Sequence, residues 1–253
     1  MKVDAVVLAG GAGEVIDPDA RFKGLLPIAG KPMVEWVVDA LKEAPSIAEV
    51  AVVVPTAEDL GLWVNKVDKL VVADQAFFKN ILAGLGAFRS DRPALIITGD
   101  LPALCSEDIE DFIAAALATN ADFVYPLVRK QDMIEQFPGS KRTYIRLVEG
   151  EITGGNMMLV NPQLGERNKI IGQKLFDTRK SALRMAGALG FSFVVKLVTG
   201  RLRVVDVEKK MTQLLGGPGA AVFSARAAIG ADVDKPIDVI VAEKVLYARS
   251  GRS

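Results

Sequence analysis

The side chains with chemical reach fall into three separated clusters. In VDAVVLAGGAGEVIDPDARFKGLL, residues 3–26, an apolar run ends in Gly10 and Gly11, and Lys23 follows after an irregular polar segment. Glycines directly after a strand let backbone N–H groups approach phosphate oxygens that a side chain would hold off, and the Lys23 ammonium could reach back over the same loop. Asp100 ends the apolar run PALIITGD, where a carboxylate is costly to bury unless it is paired, hydrogen-bonded or bound to a cation. Asp232, Asp234 and Asp238 crowd the turn GADVDKPID, and hard cations such as Mg²⁺ favour one or two carboxylates together with phosphate oxygens and water. A glycine loop, a lysine and two separated strand-end carboxylates are the parts that metal-assisted phosphoryl transfer needs, without any histidine. Each part also has an ordinary structural reading: a tight turn, a surface lysine, a turn aspartate before Pro102, and a solvated acidic turn with Asp238 at a helix start. Neither standard phosphate fingerprint is met, since Ile16 stands where a G-x-G-x-x-G pattern needs its last glycine and no G-K-[ST] occurs.

Composition narrows the chemistry further. The chain has no histidine, which removes the usual general base and the commonest transition-metal ligand, and with them ordinary triad hydrolases and zinc enzymes. Carboxylates, lysines and hard metals remain. Lys plus Arg number 31 and Asp plus Glu number 31, so no overall field draws a polyanion, and small ligands are expected rather than nucleic acid. The single Cys105 allows no intramolecular disulfide and reads as a small buried hydrophobe in a reducing cytoplasm. The opening MKVDAVVLAGG has one early lysine and a short apolar run broken by Asp4, which is neither a secretory signal nor a spanning segment. No later apolar run has the length to cross a bilayer, and a soluble protein with no membrane partner is expected.

The elements that must hold these clusters can be read from periodicity. DAVVLAG, EVAVVVP, KLVVAD, PALIITGD and ADFVYPLV read as strands, and MVEWVVDALKEA, FKNILAGLGAF and SEDIEDFIAAALAT read as helices between them. The last of these helices takes Ser106 as its N-cap, with acidic residues in its first turn complementing the helix dipole. This alternation is the signature of βαβ units feeding a mostly parallel sheet, and ligands of such sheets gather beyond the carboxyl ends of the strands. From Lys130, KQDMIEQFPGSKRTYIRLVEGEITGGNMMLVN predicts antiparallel strands and turns instead. Helices over GQKLFDTRKSALRMAGAL and VEKKMTQLL, a strand AVFSA, and a turn into a final helix over DVDKPIDVIVAEKVLYA complete the chain. At 253 residues and half hydrophobic, it can bury a large core, and without repeats or a low-complexity linker one domain is expected.

The blocks VLAGG, the downstream lysine with LLPIAGKPMVEWVVDAL, GDLPAL, TGGN and DVDKP resemble the nucleotidyltransferases with a GT-A-like fold. Within them the similarity is to the MobA-like NTP transferases, a group that includes molybdenum cofactor guanylyltransferases and cytidylyltransferases of isoprenoid and sugar-acid pathways. The resemblance covers most of the chain and implies a Rossmann-like, GT-A-type three-layer α/β sandwich with a mostly parallel central sheet and a mixed α+β second half. It implies a single domain over 1–253, with a nucleotide-binding half 1–128, an acceptor-binding region 129–230, and a metal turn with C-terminal helix 231–253. The implied enzyme is an Mg²⁺-dependent transferase, monomer or homodimer, moving a nucleoside monophosphate from an NTP to a small phosphorylated or similar anionic acceptor and releasing pyrophosphate, with GTP or CTP favoured.

Carried over by position, the resemblance implies that Leu8, Ala9, Gly10 and Gly11 line the nucleotide, with Gly11 nearest the phosphates. Lys23 would stabilise charge on the α-phosphate. Asp100 would bind Mg²⁺ with Asp234 as its partner and Asp232 in reserve. The segment DQAFFKN, from Asp74 to Asn80, sits where relatives recognise base or ribose. Asn156 of TGGN would hydrogen-bond the acceptor, and Lys141 and Arg142 have the charge to hold it, unless they belong to a solvated hairpin. Two positions depart from the family pattern. Many relatives carry GxGxR before the lysine, whereas Gly13 is followed by Glu14 and the nearest arginine is Arg21; and Lys235 stands where a threonine is usual. Two alternatives remain at this stage: a glycosyltransferase of the same fold, for which DVD mimics an Asp-x-Asp metal motif, and a non-catalytic nucleotide-binding regulator that has lost its phosphate-clamping arginine.

Overall fold

The structure is a computed structural model, which describes residues 1–11, 16–17, 21–167 and 190–251. In chain order the first half runs β1 (Val3–Leu8), β2 (Pro27–Ile28), β3 (Lys31–Pro32), α1 (Met33–Glu43), β4 (Ile47–Val54), β5 (Lys69–Val72), α2 (Phe77–Leu85), β6 (Ala94–Thr98) and α3 (Ser106–Ala118). The second half runs β7 (Phe123–Arg129), α4 (Lys130–Gln136), β8 (Ile145–Leu147), β9 (Gly150–Gly154), β10 (Met157–Val160), α5 (Pro162–Arg167), α6 (Phe191–Val198), α7 (Val204–Leu215), β11 (Gly219–Ser224) and α8 (Pro236–Ser250). Among these residues no helix is long and apolar enough to cross a membrane.

One sheet organises the molecule, in the order β5-β4-β1-β6-β10-β7, with β11 on the far edge of β7 and the β8–β9 hairpin against the carboxyl end of β7. Strands β5, β4, β1 and β6 are mutually parallel, β11 is parallel to β7, and β10 is the antiparallel strand between β6 and β7. The three-layer arrangement follows from β1, whose six residues are all buried. Val3, Ala5 and Val7 face a core shared with Val34, Val37, Val38 and Leu41 of α1 and Ile109, Phe112 and Ile113 of α3, while Val6 and Leu8 face Ile81 of α2 on the other side. A strand covered on both faces has no polar side to display, which is why β1 is apolar from Ala5 to Leu8. Each large aliphatic side chain removed from water in this way contributes about 1.5–3 kcal/mol. Gly84 lets α2 lie directly on the sheet, since a Cβ there would stand 2.3 Å from Val6 Cγ1.

Two sequence expectations are corrected and one helix is added. Residues 130–136 form helix α4 rather than strand or turn; its two turns are too short to show a period, and within it only Met133 is buried. Cys105, not Ser106, is the N-cap of α3, because the Asp108 carboxylate reaches back to the Cys105 N–H at 3.0 Å. The Cys105 thiol also donates to Asp108 at 3.1 Å, and burial pushes its pKa up to about 11, so it is a neutral cap and not a nucleophile. The apolar FSFVVKLV segment, for which the sequence signalled nothing, is helix α6. The helix expected over GQKLFDTRKSALRMAGAL lies outside the described residues.

Candidate active site

The first half of the site is built at the end of β1. The strand hands over through Ala9, whose N–H donates to the Val53 carbonyl at 3.0 Å, to the exposed Gly10 and Gly11. The chain returns with Phe22 buried in the core and Lys23 N–H donating to the Gly11 carbonyl at 2.7 Å. Gly24 makes this approach possible: a Cβ there would come within 2.9 Å of the Ala9 carbonyl oxygen. Lys23 is thereby fixed directly beneath the glycine loop, with its side chain 13% exposed.

The second half comes from β6 and the turn before α8. Asp100 follows β6, and its carbonyl accepts a hydrogen bond from Val233 N–H at 3.0 Å, which docks the Asp232–Asp234 turn onto the strand end. Lys23 Nζ donates to Asp100 Oδ2 at 2.6 Å and also contacts Asp234 Oδ1. Asp100, Asp232 and Asp234 each present a carboxylate oxygen within 4.8 Å of the others. Asp100 Oδ1 is buried with no hydrogen-bond partner among the described residues. Asp238 belongs to the helix start: its Oδ2 accepts from the N–H groups of Asp234 at 3.1 Å and Lys235 at 3.0 Å, capping α8 behind the turn.

Charges in this cluster set one another. Burial alone would lower the Lys23 pKa, but the adjacent Asp100 and Asp234 more than reverse this and hold the ammonium above its ordinary value. Burial is the largest influence on Asp232; Arg142 opposes it, the like charges of Asp100 and Asp234 reinforce it, and the group is pushed up to about 7. Burial also raises Asp234, yet its hydrogen bond and charge pairing with Lys23 outweigh this and hold it below the usual carboxylate range. The cluster gathers three carboxylates around the Lys23 ammonium, whose charged form Asp100 and Asp234 favour.

The structure thus brings Gly11, Lys23, Asp100, Asp232 and Asp234 together. The other sequence-derived residues lie on separate elements. Asp74 is exposed just after β5, and Asn80 on α2 closes its loop by accepting from Gln75 N–H at 3.1 Å and donating to the Gln75 carbonyl at 3.2 Å. Half-buried Asn156 lies at the break between β9 and β10, its carbonyl bonded to Thr98 N–H at 3.1 Å and its N–H to the Ile229 carbonyl at 2.9 Å. Lys141 is exposed, whereas the neighbouring Arg142 is 8% exposed and paired with Asp232. Arg21 pairs with Asp59 at 3.2 Å. The Arg142–Asp232 pair had no sequence signal, since it joins positions 90 residues apart.

A Rossmann-like sheet with a glycine loop, a buried lysine and an acidic cluster at the carboxyl ends of β1 and β6 is the architecture of the nucleotidyltransferases. The chain belongs to the family of MobA-like NTP transferase domains, which matches residues 5–185. It is similar to a hypothetical transferase structure from Thermus thermophilus, with 32% identity and a TM-score of 0.84 over 94% of this chain and 100% of that one. It shares its fold with a CMP:2-keto-3-deoxy-manno-octonic acid synthetase complexed with CTP, at 11% identity and a TM-score of 0.65 over 98% of this chain and 100% of that one. It also shares its fold with 2-C-methyl-D-erythritol 4-phosphate cytidylyltransferase from Thermus thermophilus, at 16% identity and a TM-score of 0.55 over 97% and 99% of the two chains. No curated protein matches the sequence.

Proposed function

We propose that this chain transfers a nucleoside monophosphate from CTP or GTP to a small anionic acceptor in the cytoplasm, releasing pyrophosphate, with Mg²⁺ as its cofactor. The observation that carries the reading is Lys23, whose single ammonium meets Asp100 and Asp234 beside the open Gly10–Gly11 loop. The donor set suits a hard divalent ion: it is all carboxylate, and one buried oxygen of Asp100 has no hydrogen-bond partner among the described residues. Asp100 and Asp234 would hold the ion, with Asp232 in reach, and a bound Mg²⁺ would neutralise phosphate charge and orient the triphosphate.

The remaining roles belong to the protein's own groups. Leu8, Ala9, Gly10 and Gly11 would line the nucleotide, the two glycines offering backbone N–H groups without a side chain in the way. Asp74 and Asn80 would flank the base or ribose, and Asn156 and exposed Lys141 would face the acceptor. An acceptor oxygen would attack the α-phosphorus while the bond to the bridging oxygen of the β-phosphate breaks. Lys23, held protonated, would stabilise the charge that grows on the α-phosphate oxygens, the kind of fixed electrostatic aid that is largest in a site already screened from water. Residues 1–128, 129–230 and 231–253 would serve nucleotide, acceptor and metal within one domain.

The test is direct. With Mg²⁺ and each of the four NTPs, selective binding should raise the melting temperature with CTP or GTP. Pyrophosphate release should then be followed with a panel of sugar acids and phosphorylated alcohols, and Lys23→Ala or Asp100→Ala should abolish it. Cleavage of a nucleotide sugar without pyrophosphate formation, or full activity in either variant, would refute the assignment.

A further inference from the structure

Arg142 stands in the segment Ser140–Tyr144 between α4 and β8, on the acceptor side of the sequence, yet its charge is turned inward. Nη1 donates to Asp232 Oδ1 and Nη2 to the Asp232 backbone carbonyl, so one guanidinium grips the side chain and the main chain of the same residue. Its Nη2 lies 3.8 Å from Asp238 Oδ1, and its Nε donates to Ser140 Oγ at 3.0 Å. We infer that Arg142 is a positioning residue for the cation site: it fixes the turn that carries Asp232 and Asp234 and thereby sets the affinity of the cluster for a divalent cation. The inference rests on the reading of Asp100 and Asp234 as metal ligands.

Contacts from several elements brace this turn. Arg142 holds Asp232, the Val233 N–H is bonded to the Asp100 carbonyl at 3.0 Å, and Asp238 holds the Asp234 and Lys235 N–H groups from the helix side. Asp234 itself has a side chain 55% exposed, with Lys23 as its ion-pair partner, so its place in the cluster depends on where the backbone puts it. Arg142 braces the turn from the segment Ser140–Tyr144, far from it in sequence. A planar fork fits this task, since it can hold two acceptors in fixed directions where an ammonium supplies only a point charge. Orienting partners behind metal ligands typically change metal affinity about 10- to 100-fold when removed.

Charge and geometry make opposite predictions here. If Arg142 only neutralises the carboxylates, deleting its charge should tighten cation binding and a lysine should replace it without loss. If it positions them, both changes should weaken binding. The probe is Mn²⁺ alone, titrated against the full chain and followed by the electron paramagnetic resonance signal of the free ion, for the wild type, Arg142→Lys and Arg142→Met. Circular dichroism in chelator reports whether each variant is folded at the assay temperature.

The expected result is a dissociation constant raised at least about tenfold in both folded variants. Unchanged binding in Arg142→Lys, or tighter binding in Arg142→Met, overturns the positioning role while leaving the metal reading intact. A wild type that binds no Mn²⁺ overturns both. If both variants are unfolded in chelator, the arginine is a residue of the fold, and the inference falls while the wild-type titration still tests the metal site.

Discussion

Replacing Lys23 by Met isolates what the lysine contributes apart from catalysis. In the native protein its ammonium is 13% exposed and bridges Asp100, 18% exposed, to Asp234, 55% exposed. Met keeps much of the stem and removes the charge, leaving two carboxylates that face the same point with a third, Asp232, within 4.8 Å. Removing one partner of a fully buried ion pair costs about 3–5 kcal/mol. Asp234 can hydrate, so the expected loss here is about 2–3 kcal/mol, or roughly 5–10 °C in melting temperature for a chain of this size. A divalent cation should restore most of that loss, because it supplies the charge the lysine supplied, and the variant should gain more stability from Mg²⁺ than the wild type does. The assay is urea unfolding of both proteins in EDTA and in excess Mg²⁺. Equal Mg²⁺ dependence in the two proteins, or a variant as stable as the wild type in EDTA, would show that Lys23 and the cation do not share a site. Nucleotidyl transfer by the variant should fall by about 10²–10³-fold even where Mg²⁺ restores its stability, since a fixed donor to the developing charge is gone.

Three further outcomes are expected. Gly24→Ala should cost about 1–3 kcal/mol and suppress the thermal shift with nucleotide, because the added Cβ meets the Ala9 carbonyl oxygen at 2.9 Å and must push the glycine loop off Lys23; urea unfolding and the NTP melting screen check both effects. Asp4, 1% exposed, accepts from Arg92 Nε at 3.0 Å at the opposite, amino end of β1, so Asp4→Ala should destabilise by about 2–4 kcal/mol yet leave the activity of the folded fraction unchanged in the pyrophosphate assay. Burial raises the pKa of Asp68, but its hydrogen bonds from Lys42 and from Val50 N–H outweigh that and lower it below the ordinary 3.8. Its folded value is depressed, so its stabilisation of about 1 kcal/mol is fully present above that ordinary value and lost as pH falls through the folded one; the stability gap between wild type and Asp68→Asn, measured by urea unfolding from about pH 7 down to about pH 3, should close only at the acid end.

The sequence shows the parts of this molecule whose residues interact with near neighbours or with a uniform environment. β1, β4 and β6 are legible because a strand buried on both faces is mostly apolar, and α1 because Val34, Val37, Val38 and Leu41 recur at helical spacing. The same logic puts Gly10, Gly11 and Asp100 at one edge, since parallel strands end together. Where a choice between adjacent residues depends on a single contact, composition does not decide it. Ser106 is the better N-cap by type, but Asp108 reaches the Cys105 N–H, and the helix starts there.

The acidic turn poses the same problem with larger consequences. In DVDKP the two aspartates are chemically identical and two residues apart, and either matches a metal ligand by type. In the folded chain they part company. Arg142 takes one oxygen and the backbone carbonyl of Asp232, while Lys23 takes Asp234 and Asp100 together. Asp234 therefore shares its cation with Asp100, and Asp232 is the carboxylate already committed to a protein cation. On the proposed reading, Arg142, 90 residues earlier in the chain, would decide which aspartate answers to the metal. Exchanging the two commitments, by Asp232→Asn against Asp234→Asn, should give unequal losses: Asp234→Asn should abolish Mn²⁺ binding in the resonance titration, and Asp232→Asn should weaken it about as much as Arg142→Lys does. Equal losses would mean that both carboxylates are direct ligands and that Arg142 yields Asp232 when the ion arrives.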